Sequence, residues 1–171
     1  MSRGYFRHPE LTEEAIDADG FFHTGDIGMV YPNGACKVID RKKNFFKLAQ
    51  GEYVAAEKLE IIYGNSPLVS QIFVYGDSRR SFLVAIVVAE PSGVMAWAKN
   101  NGLKDRTFEE LVGSAELKQA MRDDFTRLMK ENGLKGFERI VDFKIEKDQW
   151  TTENGLLTPT FKLKRMFVQK A

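Results

Sequence analysis

At 171 residues the chain is long enough for one full domain with its own core, plus an appendage. Hydrophobic residues at 43% and charged residues at 29% describe an ordinary globular protein, and the longest apolar run, Phe82 to Ala89, is too short to span a bilayer. A net charge of +1 argues against a general nucleic-acid or membrane-surface binder, while a single cysteine, Cys36, excludes an intrachain disulfide and fits a reducing compartment.

In chain order, Pro9 followed by Glu10, Glu13 and Glu14 predicts a short helix over 9–17, because proline suits the first helical position and acids suit the first turn. Asp19-Gly20 marks a turn. Two β-prone runs, 27–31 and 35–39, flank Pro32-Asn33-Gly34 and read as a hairpin. Cys36 falls in the second run, where a buried structural thiol is expected rather than a nucleophile. Asp26, at the end of Thr24-Gly25-Asp26, has two readings: a turn residue capping its own backbone, or a fixed carboxylate for ribose hydroxyls. A helix is predicted over 53–63, with Ala55, Leu59 and Ile62 on one face and Gly64 near its end.

The runs 69–75 and 82–89 read as neighbouring strands, the second so apolar that it should be central and covered on both faces. Arg79 and Arg80 in the turn between them are expected to be solvated. Pro91 starts a helix that stops near Asn101-Gly102. A short helix over 108–111 precedes a long one over 115–131, whose Leu117, Ala120, Met121, Phe125, Leu128 and Met129 form a core-facing stripe. A strand is predicted over 137–145, then a loop over 150–161, of which 151–160 offers few large apolar anchors, then Phe161-Lys162-Leu163-Lys164-Arg165.

The stretch from Asp40 to Ala55 organises the rest. Arg41, Lys42, Lys43 and Lys47 are interleaved with Phe45, Phe46 and Leu48, so parts of this run must face an interior. A solvated basic turn is the plain alternative. Gly51 stands where the backbone needs positive φ or the close approach of a ligand, and Glu52 is expected at a helix entry, where the macrodipole favours a carboxylate.

DRKKNFFKLAQGEYVAAEKLE, at 40–60, closely resembles the signature of long-chain fatty acyl-CoA synthetases, members of the adenylate-forming superfamily. DGFFHTGDIG at 19–28 is similar to that family's DGWxxTGDIG segment, and LLTPTFKLKR at 156–165 to its final lysine motif. The resemblance runs from Gly4 to Arg165. It implies an α+β fold: the small mixed-sheet C-terminal domain of the adenylate-forming enzymes at 42–171, preceded at 1–41 by a hairpin-containing tail of the large N-terminal domain. The opening MSRGYF accordingly reads as an initiator placed before a mid-protein segment.

The resemblance also implies an AMP-forming ligase that joins a fatty acid to CoA through an acyl-adenylate. It places nucleotide binding on Asp26 and Arg41, the hinge on Lys43, the CoA channel at Gly51 and Glu52, and the catalytic cation on Lys162. Aligning the motif's closing basic residue on Arg165 selects Lys162 rather than Lys164, although Thr160-Phe161-Lys162 replaces the commoner SGK form. ATP/AMP, CoA and Mg2+ are implied for the full-length enzyme, with fatty acid as substrate and the N-terminal domain as partner. No metal ligands are expected within this chain. No phosphate loop of the TSGTTGxPKG kind is present, so the segment by itself is expected to be catalytically silent and to hold no cofactor stably. No nucleic-acid partner is expected. The location expected is the cytoplasmic side, with any membrane attachment through other regions. Two alternatives stand beside this reading. One is a non-catalytic module using Arg41, Lys42, Lys43, Lys47, Lys162, Lys164 and Arg165 as an anion or RNA patch; the other is a ligase for a different carboxylic acid.

Overall fold

The computed structural model describes residues 3–169 and begins with helix α1 (Pro9–Ala15), whose proline occupies the first turn as its fixed φ favours. After the Asp19-Gly20 turn, β1 (Asp26–Val30) pairs antiparallel with β2 (Cys36–Arg41), with Asp26 opposite Arg41 and Val30 opposite Cys36. The chain divides into two compact units, Met1–Phe45 and Phe46–Ala171, a few residues beyond the boundary expected between Arg41 and Lys42. The hairpin is a two-stranded sheet exposed along both strands except at Asp40. Cys36 is therefore exposed, contrary to the expected buried thiol: a lone hairpin has no second layer in which to bury it.

β3 (Phe45–Lys47), which begins at the last residue of the first unit, forms a short hairpin with β4 (Tyr53–Ala55), and the chain continues directly into α2 (Ala56–Tyr63). The predicted helix over 53–63 thus loses its first residues to a strand, because pairing of Tyr53 to Ala55 with β3 satisfies their backbone groups. Glu52 consequently lies in the hairpin turn and not at a helix entry, and Glu57 is the acid in the first turn of α2. The face that α2 buries is Ala56, Leu59 and Tyr63, with Ile62 only partly covered.

β5 (Val69–Tyr75) pairs antiparallel with β6 (Leu83–Ala89), and β6 pairs parallel with β7 (Ile140–Glu146), which makes β6 the central strand as its composition required. The predicted strand at 137 starts later. Glu138 is held in a turn of 3-10 helix by Lys58 at 2.9 Å and by the Tyr63 hydroxyl, which donates to its carbonyl at 3.0 Å. Between β6 and β7 run α3 (Pro91–Asn100), α4 (Phe108–Val112) and α5 (Ala115–Glu131). Thr107 and Glu110 form a reciprocal cap on α4, and the Ser114 hydroxyl accepts from the Leu117 N–H to start α5.

Alternation along the strands sends side chains to two cores. On one face Ile72, Val74, Leu83, Ala85 and Val87 meet α2, α3 and α5 through Leu59, Val94, Leu117, Met121 and Phe125. On the opposite face Phe73 and Val88 meet Trp150, Leu157 and Val168 of the C-terminal segment, which ends in α6 (Arg165–Val168). Within 151–160 only Leu157 belongs to the buried core, in keeping with few large apolar anchors there, and Trp150, just before that span, is buried as well. The back of the sheet needed a cover, and this loop supplies it.

Candidate nucleotide cradle and lysine turn

Asp26, Arg41 and Lys43 belong to the first unit; Gly51, Glu52 and Lys162 belong to the second. The β1/β2 register brings Asp26 and Arg41 together: Arg41 Nε lies 2.8 Å from Asp26 Oδ1, and Arg41 also donates to the Thr24 carbonyl at 3.0 Å. Among the described residues the other carboxylate oxygen of Asp26 and the second terminal nitrogen of Arg41 make no hydrogen bond or ion pair. Asp40 fixes the following turn, accepting from the Arg41 N–H at 2.6 Å and from Asn44 Nδ2 at 2.9 Å. These groups line an open depression of about 1150 Å³, with His23, Thr24, Gly25, Asp26, Arg41 and Lys43 around it. The donor and acceptor set suits a ribose: a carboxylate to accept from hydroxyls, beside a planar guanidinium.

Three hairpin turns in the chain close in the same way. Tyr31 donates to Ala35 O, Leu48 to Glu52 O and Thr158 to Lys162 O, each at 2.8 Å, and Gly34, Gly51 and Phe161 donate back to the first residue's carbonyl. The third loop residue of such turns sits in the left-handed region, which glycine enters without cost. Gly34 and Gly51 do so at φ 81° and 93°. In the third turn the same position is Phe161, at φ 58° and with its ring exposed. A side chain there costs on the order of 1–2 kcal/mol. At Gly51 a Cβ would meet nothing closer than Lys47 Cε at 3.9 Å, so the turn is open to close approach.

Lys162 follows Phe161 directly. Its N–H donates to Thr158 Oγ1 at 3.0 Å, and among the described residues its ammonium makes no hydrogen bond or ion pair. Lys164 is different: half-buried, its ammonium lies 5.6 Å from the centre of the Phe167 ring. Among the described residues no hydrogen bond or ion pair joins Glu52 to Lys162. The residue that sequence reasoning missed is Glu60 of α2. Its Oε1 accepts from the Val74 N–H at 2.8 Å and its Oε2 accepts from Arg165 at 2.8 Å, while Arg165 also donates to the Val74 carbonyl at 3.0 Å. Burial raises the Glu60 carboxyl above its usual range, against the opposing pull of Arg165.

No group of three or more His, Cys, Asp or Glu side chains that could hold a metal ion occurs among the described residues. No described helix is long and apolar enough to cross a membrane.

The fold is that of the C-terminal part of an adenylate-forming enzyme. It superposes on the adenylation domain of a carboxylic acid reductase from Segniliparus rugosus, solved with AMP and a co-purified carboxylic acid, with a TM-score of 0.86 and 40% identity. That match covers 99% of this chain and 25% of the other. The adenylation domain of a Mycobacterium chelonae carboxylate reductase gives 0.85 and 38%, over 99% and 24%. No protein-family model matches the chain. In sequence the chain is homologous to long-chain fatty acid–CoA ligases. It is 48% identical to mouse long-chain-fatty-acid–CoA ligase 5 over 168 residues, and 50% identical to human ligase 6 over 163 residues. Those matches take in 98% and 95% of this chain but 24% and 23% of the relatives, so the chain spans about a quarter of their length.

Proposed function

We propose that this chain is the C-terminal part of an AMP-forming long-chain fatty acid–CoA ligase. The observation that carries the proposal is homology to such ligases over nearly the whole chain at 48–50% identity. The full-length enzyme would use ATP, a fatty acid and CoA. In the first step a fatty-acid carboxylate oxygen bonds to the α-phosphorus of ATP, and the bond to the β-phosphate oxygen breaks to release pyrophosphate. In the second the CoA sulfur, having lost its proton, bonds to the acyl carbon and AMP departs.

Asp26 would accept from the ribose hydroxyls, and Arg41, oriented by Asp26 and Thr24, would donate beside it. Lys162 would offset the charge that gathers when a carboxylate meets a polyanion; an ammonium with no hydrogen bond or ion pair among the described residues is suited to that task. Lys43, exposed in the turn after β2, would be the hinge, and the open turn at Gly51 and Glu52 would face the pantetheine arm. The superposition on an AMP-bound adenylation domain supports the nucleotide part of this reading. The homology favours this reading over a patch of basic residues serving as an anion or RNA surface. A ligase for another carboxylic acid is the second reading, favoured by the likeness to carboxylic acid reductases, and profiling acids of different length and shape would separate the two.

The test is a chimaera in which this chain replaces the homologous quarter of human ligase 6. Lys162→Ala should lower adenylation, followed by pyrophosphate exchange, by roughly 10²-fold or more, the scale for removing a preorganised transition-state donor. Thioester formation from pre-made acyl-adenylate should change far less, and Lys164→Ala should be milder in both. Sensitivity of Lys164 with indifference of Lys162 would overturn the assignment.

A further inference from the structure

We propose that Glu60 and Arg165 are positioning residues for Lys162, forming a clamp that ties the lysine turn to the α2–β5 core so that the ammonium is presented in one place. The inference rests on the reading of Lys162 as the catalytic cation. Four contacts converge on the clamp from distant parts of the sequence: Glu60 to the Val74 N–H at 2.8 Å, Glu60 to Arg165 at 2.8 Å, Arg165 to the Val74 carbonyl at 3.0 Å, and the Arg165 guanidinium 4.9 Å from the centre of the Phe73 ring. Both side chains are largely enclosed, at 13% exposure for Glu60 and 22% for Arg165. Each side chain makes two polar contacts, Glu60 through its two oxygens and Arg165 through its two terminal nitrogens, which fixes direction as well as distance.

The turn itself needs such an anchor. Its tip, from Thr158 to Lys162, is closed by hydrogen bonds among its own residues and carries a residue held in the left-handed region. The buried apolar anchors nearest to it are Leu157, just before the tip, and Val168, in α6. On the far side of Lys162 the backbone returns by Leu163, bridged to Leu157, and by the Lys164 N–H, which donates to the Leu156 carbonyl at 2.9 Å. Arg165 comes next. It is the first residue after Lys162 whose side chain is fixed to the sheet and to a helix on its opposite layer. Without it the tip would hang from Leu157 on one side and from a four-residue helix on the other. The strain at Phe161 makes this worse, because a strained turn relaxes unless its surroundings over-determine it.

Two measurements test the clamp, on Glu60→Gln, Arg165→Met and the conservative Arg165→Lys. The first is amide hydrogen exchange on the 171-residue chain, reading Thr158, Phe161, Lys162 and Lys164 against the amides of β6. Exchange at the turn should quicken by about 10-fold or more in Glu60→Gln and Arg165→Met, with β6 unchanged, as local opening decouples from global unfolding. The second reads the two half-reactions in the ligase chimaera. Adenylation kcat should fall roughly 10-fold, a modest share of what misplacement by an ångström can cost, with little change in the KM for ATP. Thioester formation should stay within about 2-fold, since the misplaced group acts only in the first step. Arg165→Lys keeps the charge but cannot reach both acceptors, and should fall between wild type and Arg165→Met.

Unchanged exchange at the turn would overturn the clamp, as would equal loss of both half-reactions, which marks a merely structural pair. Faster exchange with intact adenylation is resolved by Lys162→Ala. If that variant is inactive in adenylation, the clamp does not position the lysine and the proposal falls alone. If that variant is active, the reading of Lys162 falls and takes the clamp's purpose with it.

Discussion

Gly93→Ala sets helix propensity against packing with opposite signs. Gly93 lies in the first turn of α3, and propensity alone would have alanine stabilise the helix by about 1 kcal/mol. The chain packs too tightly there for that gain to appear. A Cβ on Gly93 would stand 1.8 Å from the Pro67 carbonyl oxygen and 2.8 Å from its carbon, both backbone atoms and both inside the 3.0 Å floor for such contacts. Relief requires α3 to retreat from the Pro67–Leu68 segment by more than an ångström. That motion would stretch the bond from the Glu90 N–H to the Leu68 carbonyl, now 2.9 Å, and lift Val94 and Ala98 out of a core in which they are wholly buried. Overpacking costs about 1–3 kcal/mol, and a clash with backbone belongs at the upper end. After the propensity gain the net loss is about 2 kcal/mol, or a fall in Tm of roughly 4–8 °C for a protein of this size. Thermal and urea unfolding of the chain by circular dichroism measure it directly. Gly136→Ala is the control: a Cβ there meets nothing within 4 Å and its φ is not in the left-handed region, so a gain of about 0.4–1 kcal/mol is expected. A Gly93→Ala variant as stable as wild type, or more so, would refute the packing argument.

Two further outcomes are expected. Lys43→Pro in the ligase chimaera should spare one half-reaction more than the other, because proline fixes φ near −65° and a locked hinge keeps one orientation; equal loss of both, with folding intact, counts against Lys43 as the pivot. Tyr63, whose burial pushes its hydroxyl up to about 12, stays protonated in the folded chain while the unfolded tyrosine ionises near 10, so its contribution is whole below pH 10 and is lost as pH rises toward 12. Between pH 8 and pH 11 wild type should therefore lose about 1.4 kcal/mol relative to Tyr63→Phe in urea unfolding, and a difference that runs the other way would remove Tyr63 as the cause.

What was legible in the sequence was whatever rests on local chemistry. Pro9 and Pro91 set helix starts, Pro32-Asn33-Gly34 set a hairpin, and the apolar run at 82–89 became the central strand. The stripe from Leu117 to Leu128 packs as its period requires. The Asp26–Arg41 pair could not be read from the turn at Asn33-Gly34, because that register carried on would set Asp26 opposite Asp40, and a one-residue shift between Ile27 and Gly28 brings Arg41 there instead. The errors lie where tertiary pairing overrides a local preference. Tyr53 to Ala55 has helix on its C-terminal side and could have extended it, but a strand partner was nearer. Cys36 looked buried because alternation within a strand says nothing about whether a second layer lies over it.

Glu60 shows why the remainder was hidden. In the sequence it is one acid among others on a helix, and nothing near it marks it for Arg165, which lies 105 residues away. The pairing arises only because β5 carries Val74 between them: the backbone N–H of Val74 goes to Glu60 and its carbonyl to Arg165, so the backbone of one residue serves as the template for both. Phe161 is hidden for the converse reason. Local rules assign its position to glycine, as the matching turns at Gly34 and Gly51 obey, and the violation becomes visible only once the three turns are seen to close alike. Both features flank Lys162, one holding its turn to the core and the other straining it, so the residue most legible as a motif is set in place by the residues least legible in the sequence.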